Sequence, residues 1–213
     1  DLGATVIFGE TTEFIGAEHI LARRAATPDV AERIYGAVDR METRAKSLGC
    51  DMRKGQPTPG NIAGGLSSIE EKSLGAIVKS GTRPIQGVLE YPERIDGRKG
   101  LWIKDTPGRE PEILTGMGAS GAQFMMFSTG RGAPQGFPIM PVIKVCGNVN
   151  TYARMENDMD VNAGRIITGE KSVEEIGEEL IQKALVVLSG EMTKNEAIGY
   201  FNFIDIHTLG PVI

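Results

Sequence analysis

Glu10, Glu13 and His19 lie close together in the chain, just past the short apolar run of residues 4–8. Two carboxylates and an imidazole in that spacing offer general acid–base groups or ligands for a divalent cation. A helix-surface histidine is the plain alternative for His19. Thr129-Gly130-Arg131-Gly132 is a second candidate. Its glycines bare the backbone amides, and the guanidinium fork of Arg131 matches a carboxylate. The competing reading is a turn with a surface arginine. Lys144 sits inside the apolar run PVIKVC (141–146). A charge there is costly unless paired, so Lys144 is a stronger candidate than Lys72 for a functional or ion-pair role. Asp158, Asp160 and Asn162 alternate along DMDVN (158–162), oxygen ligands of the kind that hard cations take. The glycine and glutamate of a calcium hand are missing, and a helix-ending turn competes with the metal reading. Gly116, Gly118 and Gly121 spell a dinucleotide fingerprint. They precede a strand instead of opening a helix, so the match is discounted.

These residues need elements to hold them. The run ATVIF (4–8) ends at Gly9 and predicts a buried strand, with Glu10 to Glu13 at its carboxyl end. A helix is expected over 16–26. Another starts at Thr27-Pro28, with Val30, Ile34, Val38, Met41, Ala45 and Leu48 as its apolar stripe and Gly49 as its stop. Residues 51–66, rich in Gly and Pro, are expected to form an irregular loop. Ser68 and Glu71 have capping-box spacing before a helix to about Ser80; Ser172 and Glu175 repeat it before a helix over 172–188. Strands are expected at 86–91, 100–104, 122–128 and 141–146, with shorter helices at 112–120, 150–158 and 193–199. The tail 200–213 is apolar without clear periodicity. Strands alternating with amphipathic helices predict an α/β fold with a largely parallel, Rossmann-like sheet and helices on both faces. Residues 1–213 are expected to form one domain.

In such folds ligands collect beyond the carboxyl ends of the strands. That rule selects Glu10 to Glu13, Asp105 to Gly108, Thr129 to Gly132 and Gly147 to Asn150.

The 213 residues are 40% hydrophobic and 24% charged, a globular balance, with a net charge of −5. No basic stripe marks a nucleic-acid partner, and no apolar run is long enough for a membrane span. Twenty-eight glycines mean many tight turns and close backbone approaches. Cys50 and Cys146 have no metal-site spacing, which predicts a reducing cytoplasm.

PTPGNIAGGLSSIEEKSLGAIVKSG (57–81), FSTGRGAPQG (127–136), PVIKV (141–145) and DMDVNAGRI (158–166) occur in this order. Together with ATVIFGETTEFIGAEHILARRA (4–25), they make the chain resemble the carboxyl-terminal catalytic region of the altronate/galactarate dehydratases. Residues 52–66 are also similar to the large subunit of sulfolactate sulfo-lyase, a sister branch. The resemblance implies a lyase that eliminates water from a sugar acid to give a 2-keto-3-deoxy acid, with elimination of sulfite from sulfolactate as the alternative. It also implies a divalent metal, Fe2+ or Mn2+, to stabilise the developing enediolate. Full-length members carry amino-terminal parts not matched here, so the chain is expected to act with those domains or a small subunit, in a homo-oligomer. On this reading Glu10, His19 and Lys144 are the catalytic candidates. Asn61, Thr129, Gly130 and Arg131 would bind substrate, and Glu13, Asp158, Asp160 and Asn162 would bind metal. A fragment that binds sugar acids without turnover is the non-catalytic alternative.

Overall fold

Short β-branched runs become strands and amphipathic runs become helices, in two compact units. One runs to Arg109 and includes His207; the other is Glu110–Ile206. The computed structural model describes residues 3–208.

The first unit contains strands β1 (Thr5–Phe8), β2 (Ile85–Leu89) and β3 (Gly100–Lys104). They form a parallel sheet in the order β1-β3-β2. Its helices are α1 (Glu18–Ala22), α2 (Pro28–Ser47), α3 (Met52–Gly55), α4 (Pro59–Ala63) and α5 (Ile69–Val78). Thr27 caps α2 by accepting from the Val30 amide, and Pro28 needs no partner at the first turn. Val30, Ile34 and Val38 of α2 then pack with Ile85, Val88, Leu101 and Ile103 of the sheet. Each such side chain contributes about 1.5–3 kcal/mol when fully buried. The pairing of β2 with β3 shifts register between Ile85 and Gly87. Trp102 lies against the bare Cα of Gly87; a methyl there would fall 2.3 Å from its Cζ3.

The second unit contains α6 (Glu110–Ala119), β4 (Met125–Thr129), β5 (Val142–Cys146), α7 (Val149–Arg154), β6 (Val161–Asn162), α8 (Val173–Leu188) and α9 (Lys194–Ala197). Its sheet is again parallel, in the order β4-β5-β6. Every residue of β5 is buried, and Ile143 and Val145 pack with Val161, Ala184 and Val187. The α/β class and the parallel strands are as expected from the sequence, with the strands divided between two sheets. Among the described residues no helix is long and apolar enough to cross a membrane.

Two local expectations are corrected. Residues 51–66 are not wholly irregular. The Asp51 side chain accepts from the Arg53 amide to open α3, and Thr58 with Asn61 forms a capping box that opens α4, with Pro59 in its first turn. These caps were present in the sequence beneath the Gly/Pro content. At α5 the box is also different. Ser68 Oγ accepts from the Glu71 amide, but Glu71 reaches back to the Ser67 amide and hydroxyl instead. The Ser172–Glu175 box on α8 is reciprocal as the spacing requires. Residues 200–208 of the apolar tail have no regular element; positions 209–213 lie outside the described residues.

Lys144 is 0% exposed in the middle of β5. Its ammonium pairs with Glu110 and stands 4.2 Å from the centre of the Phe127 ring. Burial lowers its pKa, and Glu110 and Asp160 pull it back up. A buried pair broken from one side is far costlier than one replaced by an apolar side chain of similar volume. Lys144→Met alone, which leaves Glu110 uncompensated, should therefore cost about 3 kcal/mol or more, and Lys144→Met combined with Glu110→Met about 1 kcal/mol or less. Urea unfolding curves of the two variants measure both. Equal losses would show that the ion pair is not what holds this position.

Candidate active site

The segments that leave β1 and β3 emerge at the same edge of their sheet, because adjacent parallel strands end together. They are sewn to each other. The Thr11 amide donates to Thr106 O (3.0 Å), and the Thr106 amide donates to Thr11 Oγ1 (3.2 Å). Thr11 Oγ1 donates in turn to Asp105 Oδ1 (2.7 Å), whose other oxygen takes a hydrogen bond from Arg40 at 3.0 Å. The Glu10 amide ends on Thr106 Oγ1 at 2.6 Å. Thr11 and Thr106 are both buried.

This junction carries a cavity of about 350 Å³, lined by Glu10, Thr12 and Glu13 after β1 and by Gly108 and Arg109 after β3. Met52, Gln56, Ile69 and Lys72 complete the wall. Ser68 caps α5, and Ser73 Oγ anchors that helix by donating to Ile15 O (2.8 Å). Lys72 is thereby aimed into the cavity, where its ammonium meets Gln56 Oε1 at 2.8 Å and Glu13 Oε1 at 3.0 Å.

Glu10 has a left-handed backbone, φ 76 and ψ 64, at the start of a 3-10 turn over Thr11–Glu13. It is the one non-glycine residue with positive φ among those described. Its carboxylate lies against Gly108, where an added methyl would fall 3.3 Å from Glu10 Oε1 and 2.7 Å from Thr12 Oγ1. Burial, helped by the nearby Glu13 charge, raises the Glu10 carboxyl from 4.5 to about 7, against the opposing pull of Lys79 and Lys72. A carboxyl poised there can take up or release a proton at neutral pH.

The structure brings Glu10 and Glu13 together and separates them from His19, which is exposed on α1 and does not line the cavity. Asn61 is also outside the lining; its Oδ1 accepts from the Thr58 amide and hydroxyl. In the second unit, Thr129 Oγ1 accepts from the Gly132 amide, shaping the turn that leaves Gly130 and Arg131 exposed. Both carboxylate oxygens of Asp160 are engaged, one by the Lys144 amide (2.8 Å) and one by the Lys194 amide (3.0 Å). Asn162 leaves its buried Oδ1 without a partner, and Asp158 is half-buried. No group of three or more His, Cys, Asp or Glu side chains that could hold a metal ion occurs among the described residues. Of the residues expected to hold iron or manganese, Glu13 belongs to the first unit and Asp158, Asp160 and Asn162 to the second.

Sequence reasoning ranked Lys72 below Lys144 and did not single out Gln56 or Arg109. The signal for Lys72 was available. It follows Ile69 by three positions, so both share the face that α5 turns toward the segment before it.

The raised Glu10 carboxyl ties stability to pH. Its folded value of about 7 lies above the ordinary 4.5, so the stabilisation it contributes is complete below the unfolded value and is lost as pH rises through about 7. Unfolding free energy should decline for the native chain between about pH 5 and about pH 8 relative to Glu10→Gln. Denaturant titrations at several pH values test this, and parallel curves for the two proteins would refute the shift.

The chain spans only part of the curated relatives it matches, between 38% and 52% of their length. It is 41% identical over 206 residues, 95% of its own length, to the (2R)-sulfolactate sulfo-lyase subunit beta of Chromohalobacter salexigens, of which it covers 52%. It is 37% identical over 211 residues to the galactarate dehydratase (L-threo-forming) of Escherichia coli, a match of 99% of this chain and 40% of that one. With the altronate dehydratase of Bacillus subtilis it shares 33% identity over 194 residues, 91% of this chain and 38% of the relative. The model of the D-galactarate/altronate dehydratase carboxyl-terminal region matches residues 1–210, and the chain belongs to that family.

Proposed function

We propose that the cavity at the ends of β1 and β3 is the acid–base site of a lyase acting on a 2-hydroxy carboxylate. The observation that carries this reading is Glu10. It is an acid raised to about 7 in a cavity that also holds the Lys72 ammonium and Arg109. Ionised, Glu10 takes the proton from C2, α to the substrate carboxylate. The C2–C3 double bond forms as the bond from C3 to its hydroxyl breaks. Lys72, its charge balanced by Glu13, gives a proton to the departing hydroxide, which leaves as water. The enol ketonises by gaining a proton at C3 and losing one from the C2 hydroxyl. Glu10 passes its proton to solvent, and Lys72 regains one from it. Positive groups already in place favour the negative charge that develops in the transition state.

The substrate on this reading is a sugar acid such as altronate or galactarate, and the product is a 2-keto-3-deoxy acid. The 41% identity to a sulfo-lyase subunit favours a second reading. There the same proton transfer to Glu10 expels sulfite from C3 of sulfolactate, and sulfite departs with the electron pair and needs no acid. The relatives' greater length and the subunit designation of the sulfo-lyase support a reaction carried out with a further region or subunit. Two free cysteines, Cys50 exposed and Cys146 buried, support a reducing compartment.

The complete enzyme should form a 2-keto acid from one or more of a panel of aldonates and aldarates, or release sulfite from sulfolactate. Glu10→Gln should lower kcat by about a hundredfold or more. Full activity in that variant would remove Glu10 from the chemistry, and ligand binding without any product would point to a non-catalytic protein. Arg109, which lines the cavity, is assigned to a substrate carboxylate. Its alanine variant should raise KM about tenfold, the scale of one lost charge-assisted hydrogen bond. An unchanged KM would dismiss it.

A further inference from the structure

The left-handed backbone of Glu10 needs a cause. For a residue with a Cβ this conformation costs about 1–2 kcal/mol, and it persists where its surroundings over-determine it. Neither Glu10 nor the turn it opens has a side-chain cap. What fixes the segment is one residue across the sheet edge. Thr106 accepts from two successive amides, that of Glu10 at its hydroxyl (2.6 Å) and that of Thr11 at its carbonyl (3.0 Å). Thr106 is itself held, since its amide donates to Thr11 Oγ1 and Thr11 Oγ1 donates to Asp105. Asp105 is fixed by Arg40 and by its own amide, which donates to Leu89 O at 2.8 Å.

We propose that Thr106 is a positioning residue for Glu10: its hydroxyl, by accepting from the Glu10 amide, sets the backbone direction that presents the Glu10 carboxylate to the cavity. The inference rests on the reading of Glu10 as the base. Thr106 is not among the residues that line the cavity, so it acts through Glu10 and not on substrate. Thr11 and Asp105 serve the same end by orienting Thr106.

Thr106→Val keeps the shape of the side chain and removes the acceptor; Thr106→Ser keeps the acceptor and removes a methyl. In the complete enzyme, with whichever substrate it turns over, the valine variant should lose kcat on the order of tenfold to a hundredfold with KM nearly unchanged. The serine variant should recover most of the native kcat. A readout independent of turnover is the decline of unfolding free energy with pH that Glu10 imposes. It should flatten in the valine variant, as the displaced carboxyl regains water, and persist in the serine variant. Should the valine variant not fold, Thr106→Cys, of similar volume and a weaker acceptor, replaces it with the same readouts. A valine variant with native kcat and native pH dependence, beside an inactive Glu10→Gln, would overturn the positioning role and leave the lyase reading standing. Equal losses in the valine and serine variants would overturn it as well, by showing that the methyl and not the hydroxyl matters. An active Glu10→Gln would instead remove the lyase reading itself.

Discussion

The hydrogen-bonded seam between the segments after β1 and β3 is the constraint on which the candidate site depends. Adjacent parallel strands deliver their loops to one edge of the sheet, but delivery alone leaves those loops free to diverge. Thr11 and Thr106 exchange backbone and side-chain hydrogen bonds, and Asp105 anchors the pair to Arg40 on α2. The seam is buried, so its polar groups would lose several hydrogen bonds to water if they were not satisfied by each other. Sheet, helix and cavity wall are thereby fixed relative to one another within the first unit.

Two lysines show how surroundings decide the use of a charge. Lys144 lies wholly within a sheet, its ammonium paired with Glu110 at the start of α6 and set against an aromatic face. Lys72 is partnered as well, by Glu13 and Gln56, but those partners belong to a cavity wall. Its ammonium is held in place before any ligand arrives. Fixed charge of this kind stabilises a developing anion without the cost of reorganising around it.

Much of this was legible in the sequence. Apolar runs of four or five residues gave the strands, and helical spacing gave α2 and α8, because burial on one side imposes those periods, while the cap spacing of Ser68 and Glu71 gave α5. The strand-end rule pointed to Glu10, Glu13 and the turn from Asp105 to Gly108, which do meet at one cavity. The rule could not rank side chains within those turns. Whether His19 faced the cavity or the solvent depended on the rotation of a five-residue helix, which no periodicity that short can fix. Asn61 in a Gly-rich loop looked like a ligand contact, but its carbonyl is occupied in starting α4. Asp160 looked like a metal ligand, yet two backbone amides claim its oxygens. For Asn61 the demand comes from local backbone three residues away; for Asp160 it comes from amides 16 and 34 residues away, which only three-dimensional proximity reveals. The division of the strands between two sheets was likewise invisible, since pairing partners are not encoded in the strands' own spacing.

The backbone at position 10 has a consequence for how this lineage can change. Glycine is the residue that a left-handed conformation tolerates without penalty. Drift toward glycine there would relieve strain and remove a buried acid at once, so selection for stability alone runs against keeping a glutamate. On the acid–base reading of Glu10, its retention in a copy of this fold is a record of use. On the same reading, a copy carrying glycine in its place would keep the architecture while lacking the acid, and this single position would sort copies equipped for the chemistry from those that are not.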